Sequence, residues 1–187
     1  MNSAHPDRPI ANCYWVLPGK FLAGEYPGAK DAAAAREKVD ALCAARVTAF
    51  IDLTEADEGL AHYGGLVGSA SHQRFPIRDV SVPRSNEFVS GILDAIDGQM
   101  AAGGVVYVHC WGGVGRTGVV VGCWLSRHGH PGVAALARLQ ELWKSCPKSV
   151  RRESPETMEQ RRFIENFREE SKTSDLPMPP HGDRPPE

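Results

Sequence analysis

The chain's strongest constraint is a glycine-rich turn set between a β-branched run and an almost wholly apolar segment. Val105-Val-Tyr-Val108 reads as a short core strand. The sequence then passes through His109-Cys110-Trp111-Gly112-Gly113-Val114-Gly115-Arg116 into Thr117–His128, apolar nearly all round and predicted as a buried helix. Three glycines in four positions let the backbone curl tightly, with positive φ where needed. Amide groups from 111 to 116 are then expected to converge on one point, at the N-terminus of the helix. Unpaired N–H groups and the helix dipole favour an anion there. Arg116 adds a planar fork suited to two oxyanion oxygens.

Cys110 opens this turn and faces the same positive ground, surroundings that favour the thiolate. A thiolate beneath a bound tetrahedral anion is placed for in-line attack on its central atom. Thr117 is expected to donate its hydroxyl to the sulfur. The other cysteines are Cys13, Cys43, Cys123 and Cys146, and none forms a Cys-x-x-Cys pair. An odd, scattered set reads as reduced thiols, not as a disulfide framework or a metal site.

Strand and helix patterns alternate around the turn. Ala32–Ala45 carries Val39 and Leu42 on one helical face, and Val47–Leu53 follows as a buried strand. Ser85 is placed to cap a helix with Phe88, Val89, Ile92 and Ile96 at helical spacing, ended by Gly103-Gly104. Pro131 opens a helix through Trp143, and Ser154-Pro155 a last one to about Glu169. This alternation predicts a single α/β domain with a central, mainly parallel sheet flanked by helices, the phosphate-binding type of loop joining strand to helix. The domain is expected over 13–170, after a flexible leader at 1–12 and before a tail at 171–187 that holds five prolines.

Lys and Arg number 21 and Asp and Glu 23, a net charge of −2, which argues against a polybasic nucleic-acid surface. No apolar run approaches the ~18 residues needed to span a bilayer, and no export signal opens the chain. The expectation is a cytoplasmic monomer without nucleic-acid or membrane partners.

The motif His109-Cys110-x5-Arg116-Thr117, in the extended form HCxxGxGRTG, resembles that of the cysteine-based protein tyrosine phosphatases, including their dual-specificity branch. The resemblance implies hydrolysis of phosphomonoesters through a cysteinyl-phosphate, without metal or cofactor. The substrate is then a phosphorylated protein or a small phosphomonoester. Positions 111–115 would cradle the phosphate with Arg116, and His109 would orient the loop by hydrogen bonding. Phe75-Pro-Ile-Arg-Asp79-Val-Ser-Val-Pro83 resembles the family's acid loop, which makes Asp79 the general acid. Asp52 is read instead as capping or pairing with a neighbour. Ser154–Phe163 resembles a Gln-bearing segment, so Gln160 either orients water or caps a helix, with Glu156 standing where a water-positioning Gln is expected. Val16–Pro27 is similar to the family's N-terminal hairpin. Tyr26 there lines the pocket rim or packs on the sheet edge.

Other points stay open in the sequence. Trp111 stacks on the pocket floor or packs beneath the loop. Lys144, Lys148, Arg151, Arg152, Arg161 and Arg162, against three glutamates, attract anions or simply face water. Cys43 and Cys123 are candidates for a redox disulfide with Cys110. A phosphate-recognising pseudophosphatase would lack nucleophile, arginine or acid, and all three are present. A sulfur-transferring or arsenate-reducing chain would not need Arg-Thr-Gly leading into the helix.

Overall fold

A computed structural model describes residues 7–169. The elements are β1 (Cys13–Leu17), β2 (Phe21–Gly24), α1 (Ala32–Ala44), β3 (Val47–Asp52), β4 (Ser71–Arg74), α2 (Asn86–Ala101), β5 (Val105–His109), α3 (Gly115–Arg127), α4 (Val133–Trp143) and α5 (Met158–Asn166). One sheet runs in the order β1-β2-β5-β3-β4. Only the β1–β2 hairpin is antiparallel; β2–β5, β5–β3 and β3–β4 are parallel. The sheet is therefore mixed but mainly parallel, with β5 at its centre.

Alternation along the strands divides the core. Val106 and Val108 of β5, with Ala49 and Ile51 of β3, join α2, α3, α4 and α5 on one face. Val105 and Tyr107, with Val47 and Phe50, join Val39 and Leu42 of α1 on the other. Cys110 belongs to the first cluster and Cys43 packs against the second, so the sheet separates the proposed disulfide partners. Cys123 shares the first cluster with Cys110.

Helix starts follow their caps. Asp31 accepts from the Ala34 amide at 2.8 Å, and Ser85 from that of Phe88 at 3.1 Å. The last helix differs from its expected start. Thr157 and Gln160 form a capping box at its N-terminus. Ser154 instead donates its hydroxyl to the Val114 carbonyl at 2.8 Å, tying the segment to the glycine turn. Two strands carry little periodicity in sequence. β4 is a polar edge strand, and β1 shows as a strand only through the resemblance.

Part of the expected leader is held. Ile10 is buried, Arg8 donates to the Ser145 carbonyl at 2.6 Å, and Asn12 to the Glu25 carboxylate at 2.9 Å. The expectations for residues 1–6 and for the tail from 170 lie outside the described residues. Among the described residues no helix is long and apolar enough to cross a membrane.

Candidate active site

The loop 109–116 leaves the C-terminal end of the central strand, a place where ligands gather in open α/β sheets. Glycine is required at one of its positions, Gly113, and a second, Gly115, is closely packed. Gly113 has φ +71°, and a Cβ there would lie 2.4 Å from the Gly24 carbonyl carbon. A Cβ at Gly115 would lie 2.2 Å from the Glu156 carboxylate. The loop is thus pressed between the end of β2 and the segment before α5.

Cys110 is buried at the head of the loop, and its sulfur accepts from the Gly113 amide at 3.3 Å. Thr117 does not supply the expected donation: its hydroxyl is buried and takes no partner among the described residues, and the Gly113 amide donates to the sulfur instead. Arg116 is almost wholly buried. Both its terminal nitrogens bond Glu58, Nη2 at 3.0 Å, and Nη1 also donates to the Ile77 carbonyl at 3.0 Å. Asp79 approaches Nη2 to 2.8 Å while remaining 45% exposed. Arg116 Nε has no partner among the described residues. A buried guanidinium N–H left unbonded is a donor suited to an anion.

Asp79, Cys110, Trp111, Gly112, Val114 and Gly115, with Val80, Arg152 and Glu156, line one cavity of about 170 Å³. Trp111 neither floors the pocket nor packs beneath the loop. It is 59% exposed and stands between this cavity and a second of about 400 Å³ that includes Tyr26, Lys30, Lys38 and Glu58. Val80, which lines the same cavity, is 58% exposed at φ +53°, a strained conformation for a β-branched residue. Tyr26 both packs and lines: its ring is buried edge-on against Tyr63 and His109, beside the larger cavity.

Below the loop, the buried imidazole of His109 bonds the Cys110 carbonyl through Nδ1 at 3.3 Å and the Tyr63 hydroxyl through Nε2. A carbonyl only accepts, so Nδ1 carries the proton and Nε2 accepts from Tyr63. Burial, against the pull of Asp52, pushes His109 down to about 4 and keeps it neutral. Asp52 pairs as expected. It accepts from the Thr54 amide at 2.9 Å and from Arg74 at 3.0 Å, with His72 at 3.3 Å. Although its burial acts the other way, these bonds hold its carboxyl well below the usual range.

Gln160 is buried, not facing water. Its Oε1 accepts from the amides of Glu156 and Thr157 at 3.2 Å, and its Nε2 donates to the Ser81 carbonyl at 3.0 Å. It caps α5 and ties the acid loop to it; Glu156, not Gln160, lines the cavity. Of the basic stretch, Arg152 lines the cavity, Arg161 pairs with Glu153, and Lys148 bonds the loop itself. Sequence reasoning missed Glu58, one of three acids within residues 55–58 after β3; only the fold shows which one meets Arg116.

A family model described as the DSP-PTPase phosphatase domain of Swiss Army Knife proteins (PTP-SAK) matches residues 10–174. A protein of Invertebrate iridescent virus 3, named as a tyrosine phosphatase, is 30% identical over 158 residues, 79% of this chain. The chain spans 62% of that relative's length. The crystal structure of Tk-PTP in its active form has a TM-score of 0.67 at 23% identity, covering 83% of this chain and 95% of that one. Kinase associated phosphatase gives 0.68 at 15% identity, covering 83% and 92%. These two likenesses show a shared fold.

Proposed function

This chain belongs to the DSP-PTPase phosphatase domain family, and from that premise we propose that it hydrolyses phosphomonoesters through a cysteinyl-phosphate intermediate. Its first substrate class is phosphotyrosine in proteins, with phosphoserine and phosphothreonine as further substrates. One observation carries the reading: the Cys110 thiol and the Asp79 carboxylate line a single small cavity, and that carboxylate also reaches the buried guanidinium of Arg116, whose Nε is left unbonded among the described residues.

The phosphoryl oxygens take the loop amides and Arg116 Nε. Cys110 Sγ attacks phosphorus, the P–S bond forms and the ester P–O bond breaks. Asp79 gives its proton to the leaving oxygen. It is placed for this only once it leaves the guanidinium, where substrate oxygens take over its bonds. Water then attacks phosphorus, Asp79 accepts the water's proton, and the P–S bond breaks to free phosphate and the thiolate.

The rim supports an aromatic leaving group. Trp111 and Val80 are exposed apolar residues that both line the cavity, and an aromatic ring entering it would cover apolar surface there. The loop carries no lysine between Cys110 and Arg116, so nothing in it would hold further phosphates on one substrate.

The test is a panel of phosphotyrosine, phosphoserine and phosphothreonine peptides, an alkyl phosphate and an inositol phosphate, each with and without chelator. Phosphate release from phosphotyrosine peptides that survives chelator and stops on Cys110→Ser is the expected outcome. Release only from the small phosphates would reassign the substrate. No release from any member would overturn the enzyme reading in favour of a binding module.

A further inference from the structure

A trans peptide unit is planar, and its C=O and N–H point in opposite directions. In the unit between Gly112 and Gly113 both ends are engaged. The Gly113 amide donates to Cys110 Sγ at 3.3 Å, and the Gly112 carbonyl accepts from Lys148 Nζ at 2.8 Å. We propose that Lys148, held by Glu25, is a positioning residue that keeps this peptide turned with its amide toward the nucleophile and its carbonyl away. The inference rests on the reading of Cys110 as nucleophile.

The loop cannot secure this plane by itself. Turning it requires rotation at ψ of residue 112 and φ of residue 113, and both are glycines, which allow either orientation. A reversed plane would aim a carbonyl dipole at the sulfur and at any bound oxyanion. The neighbouring carbonyls are also held from outside the loop. Trp111 accepts from the Tyr26 amide at 2.9 Å, and Val114 from the Ser154 hydroxyl at 2.8 Å. Gly112 is the one of these three held by a charged donor.

Glu25 fixes that donor. Its carboxylate accepts from Lys148 at 2.8 Å, from Asn12 at 2.9 Å and from Lys38 at 3.2 Å. Burial would raise its carboxyl, but the bond from Lys148, with Lys38 and Asn12, keeps it below the ordinary range and charged. Glu25 directly follows Gly24, on which Gly113 is pressed. Lysine, carboxylate and peptide thus form one contact between β2, the loop and the turn at Pro147–Val150.

Cys110 is also faced by Tyr14 of β1, Tyr107 of β5, Arg116 of α3, and Asp79, Arg152 and Glu156 around the cavity. The experiment must therefore separate orientation from net charge. Lys148→Met, Glu25→Gln and Lys144→Met are compared by iodoacetamide alkylation of Cys110, followed on its own peptide by mass. Rates at pH 6 are taken relative to pH 9, with kcat/KM and thermal melting alongside. Lys148→Met should slow alkylation at pH 6 by about 10-fold, the worth of a hydrogen bond to a charged group. Its kcat/KM should fall about 10²-fold, the scale of a small misplacement at a reacting centre. Glu25→Gln should slow alkylation in the same direction by roughly 3-fold, the effect of a loosened anchor. Lys144→Met should match wild type.

Charge alone predicts the opposite sign for Glu25→Gln, since losing a nearby negative charge favours the thiolate. Faster alkylation there overturns the proposal, as does equal slowing in Lys144→Met and Lys148→Met, or a folded Lys148→Met indistinguishable from wild type. If Lys148→Met fails to fold, the sign in Glu25→Gln decides. Alkylation needs no turnover. Slowed alkylation in an enzyme inactive on the whole phosphate panel would thus sink the proposed function and leave the positioning role standing.

Discussion

The two sides of the glycine loop are built on opposite rules. Beneath it, Tyr63 bonds the buried imidazole of His109, and His72 and Arg74 bond the buried carboxylate of Asp52, with imidazole and carboxylate 4.0 Å apart. On the other side, Arg116 Nε and Thr117 Oγ1 are buried with no partner among the described residues, Asp79 is half in solvent, and Val80 sits at positive φ. One side has satisfied its polar groups and the other keeps donors unbonded. The contrast teaches that rigidity and reactivity are divided across a loop one residue thick. Residues beneath it are expected to set stability and those above it rate.

The largest effect should come from above. Cys110→Ser is expected to lower turnover by ~10⁵–10⁶, the loss seen when a nucleophile is removed from a site acting as a unit. Vanadate binding by titration calorimetry should persist, because the loop amides do not depend on the thiol. Turnover near wild type would break the division at its centre.

Asp79→Asn should slow phosphoryl transfer by ~10²–10⁴, the usual worth of a positioned general acid. The loss should be smaller for nitrophenyl phosphate, whose leaving group is already a stable anion, than for an alkyl phosphate. Measuring kcat/KM on both esters checks this; an equal loss would move the acid role elsewhere, with Glu156 of the same cavity as the alternative.

The next effect belongs to the underside and appears as stability. An unfolded histidine takes its proton near pH 6.5, whereas His109 in the fold takes one only at about 4. Falling pH therefore favours the unfolded chain across that window, by about 3 kcal/mol in all, and the loss from this group levels off below it. Asp52 extends the decline at still lower pH, since its carboxylate is held ionised in the fold. Urea midpoints between pH 7 and pH 4 measure the sum. In His109→Gln the decline between pH 6.5 and 4 should flatten; an unchanged slope would place the titrating group elsewhere.

The smallest effect is at the rim. Val80→Gly relieves a left-handed conformation at an exposed position and should stabilise by about 1 kcal/mol, read as a small rise in Tm. Destabilisation would mean that the valine side chain packs more than its exposure indicates.

Much of this arrangement was legible from residue order, for local reasons. Ser85 announces its helix because a cap acts within one turn, and the 109–118 segment announces its loop because glycines, cysteine and arginine are adjacent. Asp79 was reached only through the resemblance, since a proline-flanked acid is as often a turn former. β4 was not legible: Ser71–Arg74 lies at the sheet edge and carries no apolar alternation. Glu58 and Lys148 were not legible as partners of the loop. Their roles depend on contacts spanning 58 and 36 residues, and a charge in sequence does not say which way it will turn.

The order of strands carries one more consequence, for the chain during its synthesis. β5 pairs with β2 and β3, both long since made, and its loop then waits for Lys148, Ser154 and Gln160. Parallel pairings across such distances form slowly. A ribosome-held chain ending near residue 140 would contain the whole HCxxGxGRTG motif yet lack the groups that hold the Gly112 and Val114 carbonyls outward. The thiol is thus translated 38 residues before Lys148 and 44 before Ser154, so the loop's sequence is complete well before its supports exist.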